Sequence, residues 1–383
     1  MLGAGASAVL ATGLAALDAT CDQVRVSQIR YVPGRSVTTE YRARISWPDG
    51  TTTEDTVVAA AGLAVTGQVA VVDADGVEVS LWRYPNDPFL PGLAVGADRQ
   101  RVMKLLGDLG APADEVRLRR RAYRAGRRAV IEATTPDAHL FLKILRPERT
   151  RRVFEAHDRL VEALPVPRSH GWNEELGIIT LQAVGGVPLR TMLEKGRRRL
   201  PSADQIRHLL DQFPEANNDD LVASNPLHRA EEHARLLGLV VPDIRGRLDD
   251  LAGRLAAVPT SADECIHGDF HSSQILVEGS EIVGLVDIDT AGRGERSSDY
   301  AGLLAHLSVL GVMARRRGDI DRYGRELISA FDQMVDPVGL RMRTAAAVLG
   351  LATGPFRVQE QDWADNTRAR LALAERWAES ALV

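Results

Sequence analysis

Residues 266–300 read IHGDFHSSQILVEGSEIVGLVDIDTAGRGERSSDY, and this stretch decides the fold. The run ILVEGSEIVGLV predicts two short strands joined by a Gly-Ser turn. Pairing of these strands returns the chain and brings Asp287 back beside Gln274. A carboxylate and an amide oxygen are hard ligands that suit Mg²⁺, and Asp269, about one loop away, remains available to accept a proton from a hydroxyl group. These parts favour phosphoryl transfer.

The bulk composition indicates an ordinary globular protein. The 383 residues suffice for two or three packed units, and 45% are hydrophobic while 26% are charged. A formal net charge of -5 argues against nucleic acid as the main partner. Cys21 and Cys265 form no C-x-x-C pattern, which favours a reducing compartment, and we predict a cytoplasmic protein.

The sequence predicts neither a signal peptide nor a membrane span. The opening MLGAGASAVLATGLAALDAT lacks a basic n-region, so it favours a docked helix over a signal peptide. No apolar run approaches the ~20 residues that a membrane span requires. We therefore expect no membrane partner.

The order of the predicted elements indicates an α+β protein. Residues 24–84 are β-rich, and the Pro-rich connector YPNDPFLPGL (84–93) follows them. Next come a helix at 98–110, three strands within 116–147, a helix at 151–164 and a strand at 177–189. From about residue 203 the pattern is mostly helical, with helices at 297–313, 320–335, 338–352 and 360–382. Strands first and helices after predict two lobes.

The motif H-G-D-x-x-x-x-Q at 267–274, the strand hairpin and VDID at 286–289 resemble the aminoglycoside phosphotransferase and choline kinase family. This resemblance implies a two-lobed protein-kinase-like fold. It also implies Asp269 as the catalytic base, with ATP as phosphate donor and Mg²⁺ as cofactor. The other implied roles are Mg²⁺ binding by Gln274, Asp287 and Asp289, and loop support by His267 and Asp299.

One motif position departs from the family's commoner residue. Gln274 stands where an Asn is usual, so the amide oxygen is kept on a side chain longer by one methylene. Three regions are predicted: a β-rich, cap-like segment at 1–95, which matches no family motif, a kinase-like N-lobe at 96–183 and a helical C-lobe with the catalytic loop at 184–383.

A nucleotide-binding set is predicted in the N-lobe. Only three of the 47 basic residues are Lys, and Lys143 lies in the apolar strand HLFLKILRP, where a compact ammonium suits a single phosphate contact. Glu155 on the next helix is its implied partner, with Glu162 as the competitor. TLQAVGG (180–186) resembles the interlobe hinge, where backbone groups near Gln182 to Val184 would pair with adenine.

The expected phosphate loop is reduced. YRAGRRAVIE (123–132) has one Gly rather than G-x-G-x-x-G, and Arg127 and Arg128 have no assigned task. YVPGRSVTTE (31–40) shares its Tyr, Gly, Arg and Glu positions. A duplicated hairpin and two unrelated Gly-Arg turns both explain the similarity.

The acceptor is the least specified part. Glu215, Asp219 and Asp220 lie in the predicted loop QFPEANNDDLVASNP (212–226) and could bind an amino group, although a solvated acidic loop explains them equally well. The expected partner is a small-molecule hydroxyl acceptor, which can be cationic: a sugar, amino sugar, aminoglycoside-type antibiotic or amino alcohol. A monomer or a homodimer is expected.

Three functions remain open from the sequence. The leading one is an ATP- and Mg²⁺-dependent small-molecule kinase. The second is a metal-dependent phosphoester hydrolase with His267, Asp269, His271, Asp287 and Asp289 as ligands. The third is a catalytically silent kinase-like binding module, which Gln274 and the reduced loop favour.

Overall fold

The computed structural model describes residues 4–15, 18–67, 69–74, 76–197, 199–216, 221–313 and 317–382. The chain divides into two compact units. The N-terminal unit comprises Met1–Phe154, Ser169–Ala183 and Phe356–Gln361, and the C-terminal unit comprises Glu155–Arg168, Val184–Pro355 and Asp362–Val383. Strands dominate the first and helices the second, which confirms the predicted α+β class.

The N-terminal unit contains two five-stranded antiparallel sheets. The first has the strand order β1-β2-β3-β5-β4 and the second β6-β7-β8-β10-β9. The strands of the first sheet are β1 Thr20–Val32, β2 Ser36–Ser46, β3 Thr52–Ala61, β4 Ala70–Ala74 and β5 Val77–Arg83. Those of the second are β6 Arg117–Arg124, β7 Arg128–Thr134, β8 His139–Leu145, β9 Ser169–Asn173 and β10 Ile178–Gln182.

The two sheets repeat one topology. Each opens with a hairpin of the same register, in which Tyr31 pairs with Val37 and Tyr123 pairs with Ala129. Each turn places its Gly in the left-handed region, with φ 73° at Gly34 and 64° at Gly126. Shared strand order and shared register favour a duplicated hairpin over two unrelated turns.

Three helices pack within the N-terminal unit: α1 Ala4–Ala15, α2 Leu93–Gly96 and α3 Arg99–Asp108. The apolar α1 buries Leu10 and Leu14 in the core of the first sheet, as expected for a docked helix. The α3 helix begins where its cap predicts, because the Asp98 side chain accepts a hydrogen bond from the Arg101 backbone N–H.

Helix α4, Pro147–Leu160, starts in the N-terminal unit and ends in the C-terminal one. The prediction of 151–164 was wrong by four residues at each end. Proline suits the first helical position because its missing N–H needs no partner there. Residues 161–164 form a turn in which the Leu164 N–H still bonds to the Leu160 carbonyl.

Helices build most of the C-terminal unit. Those predicted after residue 296 lie within four residues of their observed ends. The helices are α5 Leu189–Glu194, α6 Ala203–Asp211, α7 Ala230–Val240, α8 Arg245–Ala256, α9 Arg296–Met313, α10 Arg317–Phe331, α11 Pro337–Leu351, α12 Gly354–Arg357 and α13 Trp363–Glu379, with 3₁₀ turns at Pro242–Ile244 and Ile288–Thr290. Among the described residues, none of the helices has both the length and the apolar character needed to cross a bilayer.

Short strands lie among the helices of this unit, and they include the two strands predicted within residues 266–300. Strands β13 Ile275–Glu278 and β14 Glu281–Leu285 pair antiparallel, and β11 Val187–Pro188 extends their sheet. Strand β12 Glu264–Ile266 pairs with β15 Gly292–Gly294. Phe270 and Tyr300 are buried in the core beneath them, and the Tyr300 ring stacks on Phe331 at 4.1 Å. This packing anchors both ends of the segment 266–300.

Candidate active site

The catalytic loop, residues 267–274, connects β12 to β13. The chain turns sharply at Gly268, which has φ 77°. A Cβ at this position would lie only 2.6 Å from the Thr290 carbonyl oxygen, so no larger residue fits. A side chain there would force the two backbone segments apart. Asp269 follows at once and is exposed, as a group that meets an incoming molecule must be.

His267 ties this loop to the segment that carries Asp287. The Asp269 backbone N–H donates to His267 Nδ1 at 3.3 Å, and His267 Nε2 lies 3.1 Å from the Val286 carbonyl oxygen. A neutral imidazole with its proton on Nε2 satisfies both contacts. Both ring nitrogens of His267 therefore help to hold the catalytic loop against the segment that carries Asp287.

Asp299, in the first turn of α9, holds the start of the loop. Its carboxylate accepts hydrogen bonds from the backbone N–H groups of His267, at 2.8 Å, and Gly268, at 2.9 Å. Burial raises the pKa of Asp299, while the nearby His267 and the two N–H donors oppose that change. The carboxylate compensates two backbone donors that would otherwise be buried without partners.

The β13–β14 hairpin brings Gln274 and Asp287 together. Its register pairs Ile275 with Leu285, so the residues flanking the hairpin meet at its open end. The Gln274 amide nitrogen lies 3.3 Å from Asp287 Oδ2. Asp287 has φ 62° and ψ 43°, a left-handed conformation that is uncommon for a residue with a side chain. Such backbone conformations concentrate at functional sites.

The contacts of His271 bear on whether Gln274 and Asp287 can bind one metal ion together. The Ser273 backbone N–H donates to His271 Nδ1 at 3.2 Å, which leaves the proton of the neutral ring on Nε2. Nε2 lies 3.3 Å from the Gln274 amide nitrogen, so both atoms would offer protons. In this orientation the Gln274 amide donates to Asp287 Oδ2. Rotation of the amide by 180° would instead turn its oxygen toward both Nε2–H and Asp287, an arrangement that requires a cation between the two oxygens.

Two oxygens at that spacing suit a hard cation. Neighbouring ligands of an octahedral Mg²⁺ with bonds near 2.1 Å are about 3.0 Å apart. The 3.3 Å between the terminal atoms of Gln274 and Asp287 is close to that value. The residues present therefore fit Mg²⁺. Asp289 lies buried in the following 3₁₀ turn.

His306 is the residue of this region that the sequence analysis missed. Its ring stacks on His271 with 4.1 Å between centroids, and one of its nitrogens lies within 4.8 Å of ligand atoms on Asp269 and His271. The sequence contained a signal, since His306 follows Asp299 by seven residues. That spacing is two helical turns and places both on one face of α9.

In the N-terminal unit, Lys143 lies on the central strand β8. It pairs with Val130 of β7 and Ile179 of β10, and only 6% of its surface is exposed. An ammonium so deeply placed in a sheet needs polar partners. Gln182 ends β10 and is exposed, and the Ala183 backbone N–H donates to the His139 carbonyl at 2.9 Å.

The other predicted nucleotide residues lie in the C-terminal unit. Glu155 is exposed on α4, whereas Glu162 lies beyond the end of that helix and forms an ion pair with Arg168 at 3.3 Å. Val184 is half-buried, and its Cγ1 closes over Gly284 of β14. Glu155 as the partner of Lys143, with Glu162 as the competitor, stays a prediction.

The reduced phosphate loop has partners that the sequence did not predict. The backbone N–H of Ala125 donates to Glu40 Oε1, and that of Gly126 donates to Asp87 Oδ2, both at 2.7 Å. Both carboxylates are buried. Burial raises the pKa of Glu40 to about 7 and also raises that of Asp87. Two carboxylates from residues 1–95 thus accept hydrogen bonds from two backbone N–H groups of the phosphate loop.

The predicted acceptor residues are only partly described. Glu215 is exposed in the segment that follows α6. Asp219 and Asp220 lie outside the described residues.

Comparison with known proteins identifies the family. A model described as "Phosphotransferase enzyme family" matches residues 119–334, more than half of the chain. No curated protein sequence gives a significant match. Among solved structures, the gentamicin-APH(2")-IIa complex has a TM-score of 0.51 at 12% identity, over 72% of this chain and 97% of that one, and supports the kinase-like fold.

Two other solved structures are similar over comparable lengths. Choline kinase LicA from Streptococcus pneumoniae has a TM-score of 0.48 at 15% identity, with 73% of this chain and 98% of that chain covered. Macrolide 2'-phosphotransferase MphH from Brachybacterium faecium has a TM-score of 0.42 at 17% identity, with 71% and 98% covered. The family match confirms the predicted family and enzyme class, and the chain belongs to the phosphotransferase enzyme family.

Proposed function

We propose that the protein transfers the γ-phosphate of ATP to a hydroxyl group of a small molecule in a Mg²⁺-dependent reaction. The observation that carries the proposal is the arrangement of exposed Asp269 on a loop whose last residue, Gln274, lies 3.3 Å from Asp287. Phosphoryl transfer needs a group that orients the nucleophile and a metal clamp for the phosphates.

Asp269 has the role of catalytic base. Its carboxylate orients the acceptor hydroxyl and receives its proton while the hydroxyl oxygen forms a bond to the γ-phosphorus. The bond from that phosphorus to the β,γ-bridging oxygen breaks, and ADP leaves. His267 and Asp299 keep the loop in place through the contacts they make with its backbone.

Gln274, Asp287 and Asp289 are the proposed Mg²⁺ ligands. Bound there, the ion supplies positive charge to the phosphate oxygens. His271 orients the Gln274 amide so that its oxygen faces Asp287. The left-handed backbone of Asp287 presents its carboxylate at the end of the hairpin.

The nucleotide contacts are assigned to Lys143 for the phosphates, Glu155 as its partner, and backbone groups near Gln182 to Val184 for adenine. Burial of Lys143 favours a specific polar contact over a solvated one. The limits 1–95, 96–183 and 184–383 for cap-like region, N-lobe and C-lobe remain part of this proposal.

A cationic acceptor is the proposed substrate class. Glu215 is an exposed carboxylate near the C-lobe helices, and Asp219 and Asp220 follow it in sequence. Carboxylates recognise amino groups on sugars and aminocyclitols through charge-assisted hydrogen bonds. A protein of the same fold is solved with gentamicin, which places aminoglycosides among the acceptors to test.

A catalytically silent module is the second candidate. It is favoured by the two phosphate-loop N–H groups that already donate to Glu40 and Asp87. Such a module would bind nucleotide without transferring phosphate.

An ADP-release screen separates the two candidates. The purified protein is incubated with ATP and Mg²⁺ across sugars, amino sugars, aminoglycosides, macrolides and amino alcohols, and with EDTA in parallel. We expect acceptor-dependent ADP release that EDTA abolishes, with cationic acceptors preferred. Thermal stabilisation by ATP and Mg²⁺ without ADP release from any acceptor would favour the silent module. Phosphoester hydrolysis without nucleotide would contradict both.

A further inference from the structure

Three metal-ligating side chains cluster at the catalytic loop without using the ligands proposed for Mg²⁺. Asp269, His271 and His306 each present one ligand atom, and the three atoms lie within 4.8 Å of one another. The two imidazole rings stack with an interplanar angle of 14°. We propose that this cluster binds a transition-metal ion of the Zn²⁺ class.

The donor set selects against Mg²⁺. Magnesium prefers oxygen ligands in octahedral geometry, whereas two imidazoles and one carboxylate form the three-ligand set of open tetrahedral zinc sites. The Ser273 N–H donates to His271 Nδ1, as it does to a neutral imidazole, and the neutral imidazole is the form that binds a metal ion.

The ligand atoms are near one another, and the two stacked rings must tilt so that both lone pairs reach one ion. Ligand atoms of a tetrahedral Zn²⁺ are about 3.3 Å apart for bonds of 2.0–2.1 Å, so the three atoms must approach by at most about 1.5 Å. Asp269 is exposed, so an ion can reach its carboxylate from solvent. His271 has one nitrogen near the Ser273 N–H and the other near the Gln274 amide, so coordination through one leaves the other with an outer contact.

The ring nitrogens of His306 are available to bind a metal ion. Neither of its ring nitrogens makes a hydrogen bond to a residue within the described ranges. A half-buried imidazole of this kind can bind a metal ion through one ring nitrogen.

Occupation of this site would stop phosphoryl transfer, and this consequence rests on the proposed function. A metal ion bound to the Asp269 carboxylate removes the lone pair that would accept the hydroxyl proton. The ion would also fill the position that the acceptor hydroxyl needs. We therefore expect Zn²⁺ to inhibit in competition with the acceptor, even when Mg²⁺ is in large excess.

Co²⁺ tests binding independently of turnover, because tetrahedral Co²⁺ absorbs visible light far more strongly than octahedral Co²⁺. The metal-free protein is titrated with Co²⁺, then with Zn²⁺ or Mg²⁺. We expect one equivalent of tetrahedral Co²⁺ per chain that Zn²⁺ displaces and Mg²⁺ does not. An octahedral spectrum, or displacement by Mg²⁺, would overturn the proposal whether or not an acceptor is known.

His306→Phe removes one ligand while keeping a ring to stack on His271. We expect its Zn²⁺ affinity to fall at least about 100-fold, since even outer-shell changes cost 10- to 100-fold. His208→Phe, at an exposed position of α6, is the matched control and should retain the tetrahedral spectrum. Thermal melting checks that both variants fold. Equal Co²⁺ spectra in His306→Phe and the parent protein would exclude His306 as a ligand.

Discussion

At the scale of single residues, Gln274 stands where the family commonly has Asn, and its longer side chain must still reach a metal ion. Its terminal atom lies 3.3 Å from both Asp287 and His271, so the extra methylene is accommodated by contacts on two sides. The sequence predicted this pair because hairpin pairing fixes which flanking residues meet. It could not predict the proton placement on His271, which depends on the Ser273 backbone N–H.

We predict that Gln274→Ala raises the Mg²⁺ concentration for half-maximal activity about 10- to 100-fold, because one oxygen ligand is lost. Gln274→Asn keeps an amide and should have a smaller effect. Initial rates measured over a Mg²⁺ titration distinguish the variants. An unchanged Mg²⁺ requirement in Gln274→Ala would exclude this side chain as a ligand.

His306 shows why residue roles are incompletely readable from sequence. Its distance from Asp269 along the chain is large, and only the packing of α9 on the loop brings the two together. A motif search finds residues that are close in sequence, and it found Asp269, Gln274 and Asp287 for that reason. Contacts across the core require the fold.

At the scale of elements, the catalytic loop depends on the conformation of Gly268. We predict that Gly268→Ala lowers activity strongly and destabilises the protein by a few kcal/mol, because a Cβ would lie 2.6 Å from the Thr290 carbonyl at a positive φ. Gly253→Ala, in α8 with no atom within 4 Å of the new Cβ, is the control. It should stabilise by about 0.5–1 kcal/mol. Denaturant unfolding and turnover measure both effects.

Equal unfolding free energies for Gly268→Ala and the parent would contradict this reading of the loop. The hairpin, by contrast, was predictable from alternation and a Gly-Ser turn alone. Strand β9 was not, because SHGWN (169–173) has no alternating apolar pattern and forms a strand only by pairing with β10.

The β6–β7 turn should carry a pH dependence through Glu40. Burial raises the pKa of Glu40 in the folded protein to about 7, above the ordinary value of the unfolded chain. The stability that Glu40 contributes is therefore fully present below the unfolded pKa and is lost as the pH rises through 7. We predict that the parent gains about 1–2 kcal/mol relative to Glu40→Gln between pH 8 and pH 5.5. Chemical denaturation at both pH values measures the difference.

Glu54→Gln, at an exposed carboxylate of strand β3 in the same sheet, controls for general charge effects. It should show no such relative gain. A pH-independent difference between Glu40→Gln and the parent would mean that Glu40 does not titrate in this range.

At the scale of the whole molecule, the order of elements predicted the α+β class, since β-rich and helical stretches are separate in sequence. The repeated sheet topology was only partly readable. Ten residues with shared Tyr, Gly, Arg and Glu left a repeat and two unrelated turns equally open, whereas strand order is set by pairings between distant segments. The family match covers residues 119–334 and therefore does not include the first sheet.

Nucleotide binding should stabilise the folded protein as a whole. We predict that ATP with Mg²⁺ at 100 times its dissociation constant adds about 2.7 kcal/mol to the free energy of unfolding. Thermal melts with ATP and Mg²⁺, with ATP and EDTA, and with Mg²⁺ alone measure the effect. Equal stabilisation in the presence of EDTA would contradict a metal-dependent nucleotide site.

The most direct test of the central claim compares Asp269→Asn with the parent in acceptor-dependent ADP release, with nucleotide affinity measured on the same samples. We predict a fall in kcat of about 100- to 10,000-fold with ATP affinity retained, whereas Asp263→Asn, at an exposed carboxylate before strand β12, should be fully active. Unimpaired turnover by Asp269→Asn would exclude Asp269 as the catalytic base.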